Sequence, residues 1–382
     1  MKVSKRLVAA ACGLGVAVSL VGVGVANADP NPLPGNARTL QGVGSDTTEE
    51  VMNGMSDVIV DGGGNKLISS WNAKGSAGFQ TRTSGCNFVG NNGEAGYVEG
   101  KRPNGSGAGQ NALRDSFTTG KATLGCLDFS RSSSTPDPAK LGTVSVKAVA
   151  LATDSLTFAL NRASVIPRQL TATQLTAAYH CNYGGFTSGA WKALIPQAGS
   201  GTRSSWLSKV GLSEGDLTAG LYPCVTDQSD LGTRGGPNPL QEHDLRSLDS
   251  TSIAPVSVAQ WVSMMGGGVD TDLRGSSMLG TIKAAGIAPE LSYPISMNTS
   301  FGNLAGTADD FAATRTIYNV VPTSTLTGGA AANATAISVF EDTNADPAIK
   351  TSLLCQRQDI IQKFGFAPII TCGTGSIINP QP

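Results

Sequence analysis

Apolar positions along the chain recur with two different periods, and their alternation gives the first picture. In "DTTEEVMNGMSDVIV", Val51, Met52, Met55, Val58 and Ile59 fall at helical spacing. Asp46 stands three residues before Glu49, the arrangement of a capping box, so a helix is expected to open there. Leu175, Ala178 and Tyr179 mark one face of a second helix, and Ile360, Ile361 and Phe364 mark a third that Gly365 should end. Between the helices lie short apolar runs. Residues 144–153 and 155–160 read as adjoining strands, 251–261 as a strand running into a helix, and 316–322 as a strand closed by Pro322. Strands alternating with helices indicate an α/β protein. Residues 72–111 are rich in Gly, Asn and Ser and read as a long loop held down by Cys86, and 325–336 also begins as a loop.

The start of the chain changes the picture by fixing a compartment. Lys2, Lys5 and Arg6 precede an apolar run over 7–25, and Ala26-Asn27-Ala28 supplies small residues for cleavage. This is the pattern of a secretory signal peptide over 1–28. Cys12 lies inside the apolar run, so no lipid anchor is expected. The mature chain should begin near Asp29, with 29–35 as a flexible leader, and be secreted to an extracellular or periplasmic space. Losing Lys2, Lys5 and Arg6 takes the formal net charge from −1 to about −4. That balance, without basic runs, argues against nucleic acid and against an anionic membrane surface.

Six cysteines remain in the mature chain: Cys86, Cys126, Cys181, Cys224, Cys355 and Cys372. In a secreted chain an even number favours disulfides, for which many connectivities exist. Sequential pairing, Cys86 with Cys126, Cys181 with Cys224 and Cys355 with Cys372, keeps each bridge within one region of the chain. No close Cys/His spacing of the zinc-site kind occurs, and the histidines are His180 and His243, so no metal is expected. His243, in "QEHD", reads as part of a solvated loop. With no nucleophile elbow or phosphate-binding P-loop, no enzyme and no cofactor are expected.

Three loops carry the candidate chemistry. "GVGSDTT" (42–48), "RPNGSGAGQNAL" (102–113) and "GSGTRSSWL" (199–207) each place glycines and hydroxyls before a helical segment. Free amides at a helix N-terminus, together with the helix dipole, favour an anion. Three such loops far apart in sequence suggest helix ends converging on one ligand.

In their order along the chain these motifs resemble the substrate-binding proteins of phosphate ABC transporters, of the secreted actinobacterial type. "LDFSRSSS" (127–134), "RTIYNVVP" (315–322) and "KFGFAPI" (363–369) extend the resemblance over most of the mature chain. The resemblance implies a two-lobe, type II periplasmic-binding-protein-like α/β fold with the ligand cleft between lobes. It places lobe I at 36–149 plus 291–382 and lobe II at 150–290. It implies a small oxyanion such as phosphate as ligand and an ABC permease as partner, and we expect a monomer. Carried over by position, Ser45, Asp46, Thr47, Ser106, Gly107, Ser133, Ser200, Gly201 and Thr202 would line the cleft. Two positions depart from the family pattern: Pro196 stands where the family has its phosphate-binding arginine, and Ser133 where it has an aspartate. Arg131 and Arg203 are the nearest candidates to supply the cation, and Asp46 the acceptor.

The expected function is therefore a binding protein that encloses an oxyanion and performs no bond chemistry. A secreted interaction or structural protein that keeps this fold is the alternative, and a phosphate-ester hydrolase is a third reading. Oxyanion binding separates the first from the second, and turnover of a phosphomonoester would single out the third.

Overall fold

A computed structural model describes residue 29 and residues 38–82, 85–184, 191–269, 271–283, 314–327 and 333–381. The expected signal peptide lies outside the described residues, as does the expected leader apart from Asp29. Asp29 is held in place: its carboxylate accepts from both Nη atoms of Arg102 and from the Asn72 amide. Among the described residues no helix is long and apolar enough to cross a membrane.

The first part of the chain supplies β1 (Leu40–Gly44), α1 (Glu49–Val58), β2 (Ile68–Ser70), β3 (Phe79–Gln80), β4 (Asn87–Phe88), α2 (Ser106–Asp115) and β5 (Phe129–Ser132). Then comes β6 (Val146–Asn161), which at 16 residues joins what the sequence divides into two strands. The middle part contributes β7 (Gln169–Thr171), α3 (Ala172–Tyr179), β8 (Lys192–Leu194), α4 (Gly201–Lys209), α5 (Glu214–Thr218) and β9 (Val225–Thr226). It continues through β10 (Ser252–Ser257), α6 (Val258–Met265), β11 (Ser277–Leu279) and β12 (Thr281–Lys283). The last part adds β13 (Thr314–Pro322), α7 (Thr323–Thr327), α8 (Ala334–Phe340), α9 (Gln358–Lys363), β14 (Ala367–Pro368) and β15 (Gly375–Ile378).

The main sheet runs in the order β2-β1-β5-β13-β6-β10-β8-β9. β6 is antiparallel to β13 over 146–155 and to β10 over 156–160, so one strand carries two halves of the sheet. The fold is α/β with two lobes built on this shared strand. The expected crossing near Ala150 falls within β6, and the expected return near residue 290 lies outside the described residues.

Each half buries apolar side chains on both faces. In the first, Leu40 joins a core with Met52, Met55, Phe340 and Phe366, and Val43 joins another with Trp71, Phe79 and Phe88. The odd spacing of Leu40 and Val43 sends them to opposite faces of β1. In the second, Leu156, Phe158 and Leu160 face Trp191 and Trp206, and Ala159 faces Leu194 and Trp261. Full burial of one such large side chain contributes roughly 1.5–3 kcal/mol.

Within the two halves β1 and β5 are parallel, as are β8 and β10. In such sheets ligand loops sit beyond the carboxyl ends of the strands. The carboxyl ends of β1, β5 and β8 lead into residues 45–48, 133–134 and 195–200.

Several local expectations change. α1 begins at Glu49 with Thr48 as N-cap and no side-chain cap, so Asp46 does not form the expected capping box. The 72–111 loop contains the β3–β4 ribbon and the start of α2. Gly365, at φ 88°, follows α9 as expected.

The bridges are Cys86–Cys126, Cys181–Cys224 and Cys355–Cys372, the sequential pairing. Each ties a loop within its own part of the chain and restricts the unfolded state. Replacing Cys181 and Cys224 together by serine is expected to lower the unfolding free energy by about 2–4 kcal/mol. Urea denaturation followed by circular dichroism measures it, and an unchanged midpoint would show that the bridge adds nothing.

Candidate functional site

The three Gly/Ser loops meet where the lobes face each other. Ser45, Ser106 and Ser133, from the ends of β1, α2 and β5, form a hydroxyl cluster with Oγ–Oγ distances of 3.1 Å (Ser45–Ser133) and 3.4 Å (Ser106–Ser133). The Ser133 amide donates to Ser106 Oγ at 3.0 Å. From the other lobe, the 199–202 loop lies directly against them. The Gly107 amide donates to Gly199 O at 2.9 Å. A Cβ at Gly201 would stand 2.3 Å from the Oγ atoms of both Ser106 and Ser133. One at Gly105, whose φ is +103°, would stand 2.5 Å from Gly199 O. The glycines are needed because two backbones touch here.

The N-terminus of α4 already holds a carboxylate. Ser200 is its N-cap, its Oγ accepting from the Arg203 amide at 3.0 Å. Glu242 Oε1 accepts from Ser200 Oγ and, at 2.9 Å, from the Thr202 amide. Glu242 is fully buried. An anion at a helix N-terminus meets unpaired amides and the positive end of the dipole.

A guanidinium stands beside this carboxylate seat. Arg315, from β13, is directly opposite Asp154 of β6, and its Nε and Nη2 donate to Asp154 Oδ2 at 3.0 and 2.8 Å. Arg315 Nη2 also reaches Thr202 Oγ1 at 3.0 Å and Thr47 Oγ1 at 3.4 Å. Its Nη1 is buried and finds no acceptor. Thr47 Oγ1 lies 3.2 Å from Thr202 Oγ1 and 3.2 Å from His243 Nε2. Burial pulls the His243 imidazole below the usual histidine range and keeps it neutral at pH 7.

Behind the first loop lies a second charged group. Lys74 Nζ is 3.2 Å from Asp46 Oδ1. Burial works against its ammonium, but Asp46, Glu49 and Glu242 outweigh that and hold its pKa above the usual lysine value. Glu49 accepts from the Ala73 amide and lies 3.9 Å from Arg131 Nη2. Burial, reinforced by the Asp46 charge, pushes the Glu49 carboxyl up to about 7.

Ser45, Thr47, Ser106, Gly107, Ser133, Ser200, Gly201 and Thr202 are thus brought together. The two candidate arginines are engaged elsewhere. Arg131 is completely buried beneath the first loop, donating to Ser45 O and Ser70 Oγ. Arg203 turns away, with Nε and Nη2 on Glu214 at 2.7 Å and Nη1 on Asp227 at 2.9 Å and on Pro196 O at 3.0 Å. Asp46 faces Lys74. His243 is buried and not in a solvated loop, and Glu242, Arg315 and Asp154 were not singled out from the sequence. The available signal was the polar Asp154 between the apolar runs 144–153 and 155–160.

No family model matches the chain, and no curated protein matches it. Among solved structures the chain is similar to a Clostridium perfringens protein assigned as a phosphate ABC transporter substrate-binding protein, solved with phosphate bound. The identity is 14%, the match covers 86% of this chain and 99% of that one, and the TM-score is 0.48. It is also similar to an ABC-type phosphate transport receptor from Vibrio cholerae, at 15% identity, 86% and 99% coverage and a TM-score of 0.45. A human phosphate binding apolipoprotein matches at 12% identity, covering 86% of this chain and 90% of that one, with a TM-score of 0.43.

Two predictions follow from these contacts. Arg203→Ala should cost about 1–3 kcal/mol of stability by leaving Asp227 without its partner, with oxyanion affinity unchanged. Urea unfolding beside an anion titration reads both, and lost anion binding with stability intact would return Arg203 to the cleft. Glu49 ionises at about 7 in the folded protein against 4.5 unfolded, so it favours the fold below pH 4.5 and that contribution is lost as pH rises through 7. Melting temperatures across this range should fall with pH in the wild type and flatten in Glu49→Gln. Parallel profiles would refute the assignment.

Proposed function

We propose that the protein is a secreted solute-binding protein for a small oxyanion of the phosphate class, taken between the lobes at the N-terminus of α4. The observation that carries this reading is the buried Glu242 carboxylate, received by Ser200 Oγ and the Thr202 amide. A place that stabilises an internal anion has the donors an external one requires. Arg315 Nη1, buried without an acceptor, offers a further charged donor and replaces the arginine missing at Pro196.

In this reading the solute exchanges with Glu242. Ser45, Thr47, Ser106, Ser133, Ser200 and Thr202 replace its hydration, and Gly107 and Gly201 let the backbones approach. Closure follows from tighter binding to the closed state. The internal carboxylate lowers the apparent affinity by the fraction of time it holds the seat. Uptake through an ABC permease is the transport role that goes with this function.

The bond from the Gly107 amide to Gly199 O favours a second reading, in which the lobes stay sealed and the protein acts as a secreted interaction partner. Calorimetric titration with phosphate, sulfate and arsenate separates the two. The expected result is saturable binding of one oxyanion, a raised melting temperature, and about tenfold tighter binding in Glu242→Gln, the scale of one charged contact. If neither the wild type nor Glu242→Gln responds to any of the three, the binding reading fails and the sealed one stands.

A further inference from the structure

We infer that Asp46, Glu242 and His243 form a binding site for a divalent transition-metal ion at the junction of the lobes. Asp46 comes from the loop after β1, and Glu242 and His243 from a turn in the other lobe. Each brings a ligand atom, and these atoms lie within 4.8 Å of one another. All three residues are buried, at 8%, 0% and 5% exposure.

A second observation points to a ligand. Glu242 Oε2 and His243 Nδ1 are buried polar atoms with no hydrogen-bond partner. Leaving such atoms unpaired costs roughly 1–3 kcal/mol each, so a buried carboxylate oxygen and a buried imidazole nitrogen in one cluster call for a partner. Glu242 Oε1 is already fixed by Ser200 and Thr202, which orients the carboxylate and leaves Oε2 for the ion.

The donor set selects the ion class. Two carboxylates and an imidazole suit zinc and its neighbours in the first transition row, whereas magnesium and calcium prefer oxygen alone. Ligand atoms about 2.1 Å from zinc stand roughly 3.4 Å apart in a tetrahedral site. The three side chains therefore need to draw in by little more than about an ångström. Lys74, 3.2 Å from Asp46, now supplies the positive charge the ion would bring, and is its internal competitor. With ligands from both lobes, the ion acts as a latch on the closed form. This inference does not require the oxyanion reading.

The test uses the mature chain, stripped with chelator, in phosphate-free buffer. Cobalt(II) is titrated by visible absorption, and zinc and manganese by calorimetry. One equivalent should bind, with His243→Ala and Asp46→Asn each weakening it about tenfold or more. Lys74→Met should tighten it by about tenfold, a gain that misfolding cannot mimic. Failure of all three metals to bind stoichiometrically would overturn the inference. So would binding indifferent to both His243→Ala and Lys74→Met, which would place the ion elsewhere. Metal binding without any oxyanion response would leave this site standing and remove the solute reading, and the reverse would do the opposite.

Discussion

Burying the Glu242 carboxylate between the lobes is the constraint to which the surrounding residues answer. A carboxylate taken out of water costs several kcal/mol unless charge or hydrogen bonds replace its hydration. Here the replacement comes from α4: the Thr202 amide, the Ser200 hydroxyl and the dipole behind them. Glu242 and those donors belong to one lobe, and small residues let the other lobe come directly against them. Gly105, Gly199 and Gly201 let the two backbones close to hydrogen-bonding distance, and any side chain at Gly201 would meet Ser106 and Ser133. The lobe interface thus adjoins the anion seat at Gly201.

The remaining charges divide into groups that compensate locally. Lys74 neutralises Asp46, Arg131 lies near Glu49 under the first loop, Arg315 pairs with Asp154, and Arg203 is held by Glu214 and Asp227 outside the seat. The compensation is incomplete at Glu49, whose carboxyl rises to about 7 because burial and Asp46 together outweigh Arg131. It is incomplete also at Glu242 Oε2, His243 Nδ1 and Arg315 Nη1. Other buried polar atoms are unpaired elsewhere, Arg102 Nε among them, but Glu242 Oε2, His243 Nδ1 and Arg315 Nη1 lie around one junction. Buried polar groups left unpaired in a native protein need an explanation, and a bound ion or solute is one of the few available.

What was legible in the sequence is local chemistry. Glycines and hydroxyls ahead of helices mark close approaches and free amides wherever they occur, so the three loops could be found without knowing how they meet. The cysteine pairing followed because each bridge closes a loop within one region. Glu242 and His243 were hidden for the opposite reason: "QEHD" is a polar run without helical or strand periodicity, and although Leu240 and Leu245 flank it in the core, these residues are covered by loops distant in sequence. Arg203 and Arg131 attracted attention by proximity to the motifs, yet sequence proximity does not set direction, and both guanidiniums point away from the seat. Arg315 opens an apolar strand and reads as a polar edge. Only the strand register, which sets it opposite Asp154, gives it a role.

That register bears on how the cleft works. Asp154 lies near the point where β6 leaves β13 and takes β10 as its partner. Its Oδ2 takes Arg315, and its Oδ1 accepts from Ser257 Oγ and the Ala259 amide at the start of α6. The carboxylate thereby anchors the guanidinium to the shared strand and ties both to a helix N-terminus of the second lobe. With the cation held on β6 and β13, the loop before α4 receives a carboxylate. Thr47 and Thr202, from the two facing loops, both bring a hydroxyl to Arg315 Nη2, so the guanidinium on the shared strand is met from both sides of the junction.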